Sequence, residues 1–163
     1  MTRSLRHLPA VLAVAFAIGP SRAVSGDLIR WRSVSEGEKE SRSTGKPALY
    51  FFTADWCGPC HVLRDTVFSD PKAAALVRKN YIPIVVEDRS RVEGKNSEDM
   101  ERLGQRFRIR GFPTLVVSRP DGKKGITVIG FPGKEISMSF LADARKQLQD
   151  LEAGERKPTG GNP

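Results

Sequence analysis

The chain contains two cysteines, Cys57 and Cys60, and both lie in the stretch DWCGPCH over residues 55 to 61. Two cysteines at this spacing can belong to a metal site, form a structural disulfide or act as a redox couple. A closed zinc site needs about four Cys or His ligands. The chain adds only His61 and His7 to the pair, and His7 lies in a predicted signal peptide, so the residues predict no metal site.

The spacing also argues against a purely structural disulfide, because a bridge that closes so short a loop removes little entropy from the unfolded chain. The position of the pair favours redox chemistry instead. It follows an apolar run, Ala48 to Thr53, and precedes a helical pattern, so free backbone N–H groups and the helix dipole can stabilise a thiolate. We therefore expect Cys57, the more exposed thiol, to attack a substrate disulfide and Cys60 to resolve the mixed disulfide.

The residues around the pair suit this chemistry to different degrees. Gly58 allows a tight turn, and Pro59 suits the first turn of a helix. We expect Trp56 to form a wall of the substrate groove, with packing on the surface as the alternative. His61 could tune the resolving thiol, but a histidine in the first turn of a helix is more often simply solvated.

Strands and helices alternate around this motif. The predicted strands cover residues 48–53, 81–87, 113–118 and 125–131, and a charged loop covers 88–96. The predicted helices follow Cys57, Asp70 and either Asn96 or Ser97, and the last runs from 134 to 153, where Gly154 ends it. Its expected inner stripe is Ile136, Phe140, Leu141, Ala144, Leu148 and Leu151. This order predicts an α/β fold with a mixed central sheet and helices on both faces.

Residues 1–23 have the layout of a secretory signal peptide. Arginines come first, an apolar run covers residues 8–18, and Ser21-Arg22-Ala23 is a small-x-small cleavage site. The run is shorter than the about 20 residues that span a bilayer. We expect cleavage near Ala23, with export to the periplasm or the extracellular space and no membrane span afterwards. A retained N-terminal anchor is the alternative.

The remaining chain divides into three parts. Residues 24–46 are a polar lead-in with at most a short, weak helix around residues 35–42, residues 47–153 form one domain, and residues 154–163 form a disordered tail. Loss of the signal lowers the formal charge from +8 to +5, since it removes three arginines and no acid. The remaining cations are interspersed with acids, which indicates a solvated surface and no nucleic-acid partner.

Two motifs together resemble the thioredoxin family. FFTADWCGPC is followed by IRGFPTLVVSRPDGK and VIGF, and the similarity covers about residues 45–152. The stretch ADWCGPCHVLRDTVFSDP is also similar to the periplasmic C-terminal domain of the transmembrane thiol:disulfide interchange protein and to small exported thioredoxin-like proteins. The resemblance implies a thioredoxin fold and thiol:disulfide oxidoreductase activity.

The resemblance also assigns roles outside the cysteine motif. It implies that Pro113 is a cis proline facing the cysteine pair and that the backbone of Phe112 pairs with the bound substrate. Gly111 matches the glycine that leads into the proline, and Gly130 matches a glycine beside the site.

One position departs from the family pattern. A buried aspartate usually stands six residues before the first cysteine and handles the proton of the resolving thiol, but this chain has Phe51 there. Asp55 is expected to be too exposed to replace it. Proton transfer would then depend on water, His61 or Glu87.

We therefore predict an exported, monomeric oxidoreductase that reduces protein disulfides through the Cys57/Cys60 dithiol, with no cofactor other than this pair. The Gly58-Pro59 dipeptide resembles that of reducing members. A reductant in an oxidising compartment implies a membrane electron donor of the thiol:disulfide interchange type. The alternatives are a disulfide oxidase or isomerase, and a binding module or assembly factor that uses the groove without turnover.

Overall fold

The computed structural model describes residues 26–156. The predicted signal peptide and cleavage site, and residues 157–163 of the predicted tail, lie outside the described residues. The elements in chain order are α1 (Val34–Thr44), β1 (Ala48–Ala54), α2 (Gly58–Leu63), a π-helical turn (Arg64–Phe68), α3 (Pro71–Asn80), β2 (Ile82–Asp88), α4 (Ser90–Glu93), α5 (Glu98–Arg106), β3 (Thr114–Ser118), β4 (Gly125–Ile129) and α6 (Lys134–Arg156).

The four strands form one mixed sheet in the order β2-β1-β3-β4. β1 and β2 are parallel, whereas β3 runs antiparallel to both β1 and β4. Every residue of β1 is buried, as its continuous apolar run predicts. The predicted α/β architecture with a mixed sheet is confirmed.

The two faces of the sheet have separate hydrophobic cores, because side chains alternate along β1. Leu49 and Phe51 belong to the core that contains both cysteines and is covered by α2, α3 and α6. Tyr50 and Phe52 belong to the other core, which α1 and α5 cover. The predicted covering of both faces by helices is therefore confirmed.

The segment before β1 is more than a polar lead-in. α1 is 11 residues long and begins at an N-cap serine, Ser33, with a capping box. The helix lies close against β2 at Gly37, where an added Cβ would collide with the side chain of Ile84. Arg32 also forms a parallel β-bridge with Ile84. The helix predicted around residues 35–42 is present but longer than predicted, and backbone capping and a glycine contact, rather than an apolar stripe, hold it.

Two further expectations fail. The predicted charged loop 88–96 contains the short helix α4, because Asp88 accepts hydrogen bonds from the backbone and hydroxyl of Ser90. In α6, Ile136 is 56% exposed and Leu151 is 48% exposed, although Leu141, Ala144 and Leu148 are buried as predicted.

The end of α6 also differs from the prediction. The helix continues through Gly154 to Arg156. Glycine ends a helix when it adopts a left-handed backbone, and Gly154 is not among the glycines with positive φ.

Candidate active site

The cysteine pair lies where β1 ends and α2 begins. Cys57 is the N-cap residue of α2, and its backbone N–H donates to the carbonyl of Ala54 at 3.0 Å. The Sγ of Cys57 accepts a hydrogen bond from the backbone N–H of Cys60 at 3.2 Å. Pro59 occupies the first turn, where a missing N–H costs little. Cys57 therefore lies between the end of the buried strand β1 and the N-terminus of α2.

Cys57 and Cys60 form a disulfide, with their Cα atoms 5.3 Å apart. The sequence predicts that the first cysteine is the exposed one. In the disulfide form both are buried, with 4% of Cys57 and 1% of Cys60 exposed. Cys57 is thus the more exposed of the two, as predicted. The difference in exposure is small, because Cys57 caps the helix and packs against the core.

Trp56 and Phe112 meet beside the pair. Their rings make an edge contact with centroids 5.8 Å apart, and 41% of Trp56 is exposed. The Phe112–Pro113 peptide bond is cis, Pro113 is buried, and its carbonyl accepts a hydrogen bond from the N–H of Gly130 at 2.7 Å. The structure therefore brings the aromatic residues of the predicted groove together, while Gly58 and Pro59 stay exposed.

His61 and Glu87, the two candidates for proton transfer, have other contacts. The Nε2 of His61 lies 2.8 Å from the backbone carbonyl oxygen of Asp55, and the ring is exposed. Glu87 is half-buried and forms an ion pair with Arg89 at 3.2 Å. In the described part of the chain, the polar contacts of these two side chains do not include either sulfur.

Phe51 fills the position of the family's buried aspartate with an aromatic cluster. It is fully buried, with ring centroids 5.4 Å from Trp31 and 5.1 Å from Phe68. The guanidinium of Arg64 lies 5.1 Å from the Phe51 centroid and pairs with Asp27 at 3.5 Å. Asp27 also accepts a hydrogen bond from the indole N–H of Trp31 at 2.6 Å. Position 51 is therefore apolar, and the Arg64–Asp27 ion pair lies over the Phe51 ring.

One residue beside the site escaped the sequence analysis. The guanidinium of Arg91, in α4, lies 3.7 Å from the centroid of the Trp56 ring. Arg89, two residues earlier, pairs with Asp55, Glu87 and Glu93. No sequence signal could have identified Arg91, because the two stacked residues are far apart in the chain and the segment reads as a solvated charged loop.

Residues 26–156 contain no group of three or more His, Cys, Asp or Glu side chains that could hold a metal ion. None of the helices in this range is long and apolar enough to cross a membrane.

Comparison with known proteins identifies the family. A model of the thioredoxin-like domain matches residues 34–145. The thiol:disulfide interchange protein DsbD of Ralstonia nicotianae is 30% identical over 128 residues, which are 76% of this chain but only 20% of that relative. The chain thus spans about a fifth of the length of this relative.

Two thioredoxins match over most of their length. The thioredoxin of Acidithiobacillus ferridurans is 30% identical over 115 residues, which are 71% of this chain and 94% of that protein. The solution structure of a thioredoxin from Thermus thermophilus has a TM-score of 0.63 at 17% identity and covers 80% of this chain and 98% of that one. The chain therefore belongs to the thioredoxin-like family, has the thioredoxin fold, and carries a CXXC-spaced disulfide in Cys57 and Cys60.

Proposed function

We propose that the protein reduces disulfides in other proteins by thiol–disulfide exchange at Cys57 and Cys60. The observation that carries this proposal is the disulfide at the N-terminus of α2, at the end of a fully buried strand and beside the Trp56–Phe112 contact. A fully buried strand and a helix N-terminus hold the sulfurs, and the exposed Trp56 ring next to Phe112 offers an apolar surface for a substrate chain.

The reaction transfers two electrons and two protons from the dithiol to the substrate disulfide. The thiolate of Cys57 attacks one substrate sulfur, a mixed disulfide forms, and the other substrate sulfur leaves as a thiolate that takes up a proton. The thiolate of Cys60 then attacks the Sγ of Cys57 and expels the second substrate thiol. The protein ends in the disulfide form that the structure contains.

The start of α2 favours Cys57 as the attacking group. The N–H of Cys60 points at the Sγ of Cys57 and can donate to a thiolate there, and the partial positive charge of a helix N-terminus stabilises an anion. The following π-helical turn continues the helical segment to Phe68.

The groove residues have a binding role in this proposal. Trp56 and Phe112 contact the substrate side chains, the exposed Gly58 and Pro59 let a substrate chain approach the sulfurs, and the backbone before Pro113 pairs with that chain. The edge contact between the two aromatic rings supports this assignment, because it places the Trp56 wall next to the cis-proline segment.

Deprotonation of Cys60 would proceed without a buried acid at position 51. Water, His61 or Glu87 would accept the proton. The contact of His61 with the carbonyl of Asp55 and the pairing of Glu87 with Arg89 favour water as the acceptor, since both side chains are already engaged.

The proposed direction is reduction, in the periplasm or outside the cell, by a monomer that needs no cofactor beyond its cysteines. The similarity to a thiol:disulfide interchange protein supports this direction. The same similarity supports a membrane protein as the donor that returns the disulfide to the dithiol.

The attack order is tested by trapping mixed disulfides. Cys60→Ser should accumulate covalent complexes with substrate proteins, because the resolving thiol is missing, whereas Cys57→Ser should accumulate almost none. Non-reducing electrophoresis of both variants after incubation with oxidised insulin measures the yields. Equal yields would contradict the assignment of Cys57 as the nucleophile.

Direction is tested by equilibrating the protein with glutathione. A potential near about −270 mV suits a reductant, whereas one near about −120 mV suits an oxidant. A value near the second figure would reverse the proposed direction and leave the cysteine chemistry intact.

A further inference from the structure

A cavity of about 250 Å³ lies at the end of the sheet where β1 and β2 begin. The segment over residues 28–32 forms one wall, and the end of α3 and the start of β2 form the others. The N–H of Leu28 donates to the carbonyl of Phe68 at 2.8 Å, and the N–H of Arg32 donates to the carbonyl of Pro83 at 3.0 Å. Because both ends of this wall are bonded to the rest of the domain, the cavity is preformed.

The interior of the cavity is apolar. Its buried lining residues are Ile29, Ala74, Val77, Tyr81, Ile82 and Pro83. The hydroxyl of Tyr81 is bonded to the backbone of α6, so this residue offers its ring rather than a polar group. The volume is smaller than the about 300–1,000 Å³ of sites for drug-sized ligands, but larger than the about 150 Å³ of an apolar cavity that binds benzene. The space therefore suits one ring or a short hydrocarbon chain.

The charged residues that line the cavity are four cations and one acid, namely Arg30, Arg32, Lys46, Arg78 and Glu40. Arg32 binds Glu40 through two of its guanidinium nitrogens, so these two charges compensate each other. The Nζ of Lys46 lies 3.4 Å from the backbone carbonyl oxygen of Arg78. Among residues 26–156, Arg30, Lys46 and Arg78 form no ion pair. Three positive charges therefore remain uncompensated at the cavity.

Two other acids flank the wall segment, but neither lines the cavity. Asp27 forms an ion pair with Arg64 at 3.5 Å. Glu36 accepts a hydrogen bond from the Ser33 hydroxyl at 2.6 Å, and its bonds with Ser33 lower the pKa of Glu36 more than the charge of Arg30 does. Both carboxylates thus have closer partners than the cations of the cavity.

We propose that this cavity binds a small amphiphilic anion, namely a single ring or a short hydrocarbon chain that ends in a carboxylate or a phosphate. The apolar part of the ligand packs against the buried residues, represented by Val77 and Ile82. The anionic group pairs with the exposed Arg30 and Arg78 and the half-buried Lys46. Guanidinium and ammonium groups bind both kinds of oxyanion.

The proposed site is separate from the cysteine pair. Lys46 precedes β1 and Cys57 follows it, and the seven residues of this strand span about 20 Å. Binding at the cavity requires no thiol chemistry. The inference therefore goes beyond the proposed function and does not depend on it.

Titration with octanoate and octyl phosphate tests the inference. Both ligands should shift the amide resonances of Ile29, Val77 and Ile82 in the isotope-labelled, oxidised full chain, and the shifts should saturate with a Kd of about 1 mM or less. The amide resonances of Cys57 and Cys60 should not move. Octanol, which lacks the charge, and acetate, which lacks the chain, should each bind at least about tenfold more weakly than octanoate. The lower Kd of the two long anions identifies the preferred anionic group.

Three variants separate the cavity from a general effect of charge. Arg78→Gln should raise the Kd for octanoate about threefold or more at about 0.01 M ionic strength. Lys79→Gln removes the same charge from the next residue of α3, which is also exposed but does not line the cavity, so its Kd should be unchanged. Ala74→Leu fills part of the cavity and should weaken the binding of octanoate and of octanol.

Several results would overturn the inference. One is the absence of saturable shifts at the cavity with either long anion. Equal Kd values for octanoate and octanol, or an equal loss in Arg78→Gln and Lys79→Gln, would also contradict it, because the cations of the cavity would then have no specific role. Binding to vesicles that contain phosphatidylglycerol, without binding of either soluble anion, would assign these cations to a membrane surface instead.

Discussion

Two adjacent residues of β1, Phe51 and Tyr50, point to opposite faces of the sheet and meet opposite surroundings. Phe51 packs between Trp31 and Phe68 on the face that contains the cysteines. Tyr50, on the other face, donates a hydrogen bond from its hydroxyl to Glu38 at 3.2 Å. Burial, and to a smaller extent Glu38, raises the pKa of Tyr50, so its hydroxyl remains a donor.

Glu38 is well shielded, since 15% of its side chain is exposed. Arg102 lies 3.2 Å from it, and Arg106 and Arg42 each lie 3.7 Å from it. The face without cysteines therefore contains a shielded carboxylate that links α1 to α5. The cysteine face has an aromatic ring where the family has its acid. On the cysteine face the comparably shielded carboxylate, Asp27, pairs with Arg64 over the Phe51 ring, so each face has a shielded acid but position 51 itself is apolar.

The largest expected effect comes from placing an acid on the cysteine face. Phe51→Asp should lower the free energy of unfolding of the oxidised protein by about 4 kcal/mol or more, because it leaves a cavity and buries a carboxyl group. Urea denaturation followed by circular dichroism measures this loss. Phe51→Leu is the matched control, and it should cost less than half as much because it remains apolar.

The pH dependence of Phe51→Asp has a definite sign. Burial raises the pKa of an aspartate above its unfolded value of about 3.9. The folded variant is then most stable below that value and loses stability as pH rises through the folded pKa. We expect the gap to Phe51→Leu to widen between about pH 5 and about pH 8. A constant gap would mean that the carboxyl group reaches solvent.

The same variant tests whether the missing acid limits exchange. If the carboxylate introduced by Phe51→Asp accepts the proton of Cys60, single-turnover release of the reduced substrate at neutral pH should be faster than in Phe51→Leu. Unchanged kinetics would indicate that water or another side chain already accepts the proton of Cys60. The apolar residue at position 51 would then not slow the release of reduced substrate.

An intermediate effect is expected on the opposite face. Glu38→Gln should lower the free energy of unfolding by about 1–2 kcal/mol, because three partly exposed arginines lose a shared partner. Glu101→Gln makes the same chemical change on the exposed side of α5 and should change stability little. The rate of insulin reduction should be the same in both variants. A slower rate in Glu38→Gln alone would show that the ion pairs of Glu38 affect the redox reaction on the opposite face of the sheet.

The smallest effect is expected at the rim of the cysteine face. The Lys134 ammonium, 2.8 Å away, and the backbone N–H of Lys72 hold the pKa of Asp70 below its usual range. Asp70 therefore contributes stability above its unfolded pKa of about 3.9, and this contribution is lost as pH falls through the lower folded pKa. Asp70→Asn should lower the urea midpoint slightly at neutral pH, while asparagine still caps α3.

The low-pH measurement completes this test. The midpoints of the wild type and Asp70→Asn should converge as pH falls below about 4. Lys134→Gln should reproduce the loss at neutral pH, and the double variant should lose no more than either single one. If the two midpoints still differed in acid, the loss of stability in Asp70→Asn would come from weaker capping of α3 and not from the lost charge.

Much of this organisation was predictable from sequence because apolar runs mark buried strands. The run Ala48–Thr53 identified β1, and the CXXC spacing after it identified the start of α2. Family resemblance added the pairing of the cysteine loop with the segment around Phe112. These features depend on local patterns, which a single sequence displays.

The remaining features depend on contacts between distant residues with no local pattern. α1 buries Val34, Gly37 and Ser41 on one face, but only Val34 has a large apolar side chain, so its sequence shows no apolar stripe. The stacking of Arg91 on Trp56 requires the turn geometry at the end of β2. Ile136, in the first turn of α6, has an apolar side chain that is exposed to solvent, and periodicity could not reveal this.

The β-bridge before α1 has a consequence for association between molecules. β2 is an outer strand of the sheet, and such a strand can pair with another chain. The backbone of Arg32 takes its place by donating to Pro83 at 3.0 Å and accepting from Val85 at 3.1 Å. A chain shortened to residues 47–153 would retain the cysteine motif but expose this edge. The N-terminal segment therefore covers backbone groups of β2 with which another chain could otherwise pair and aggregate.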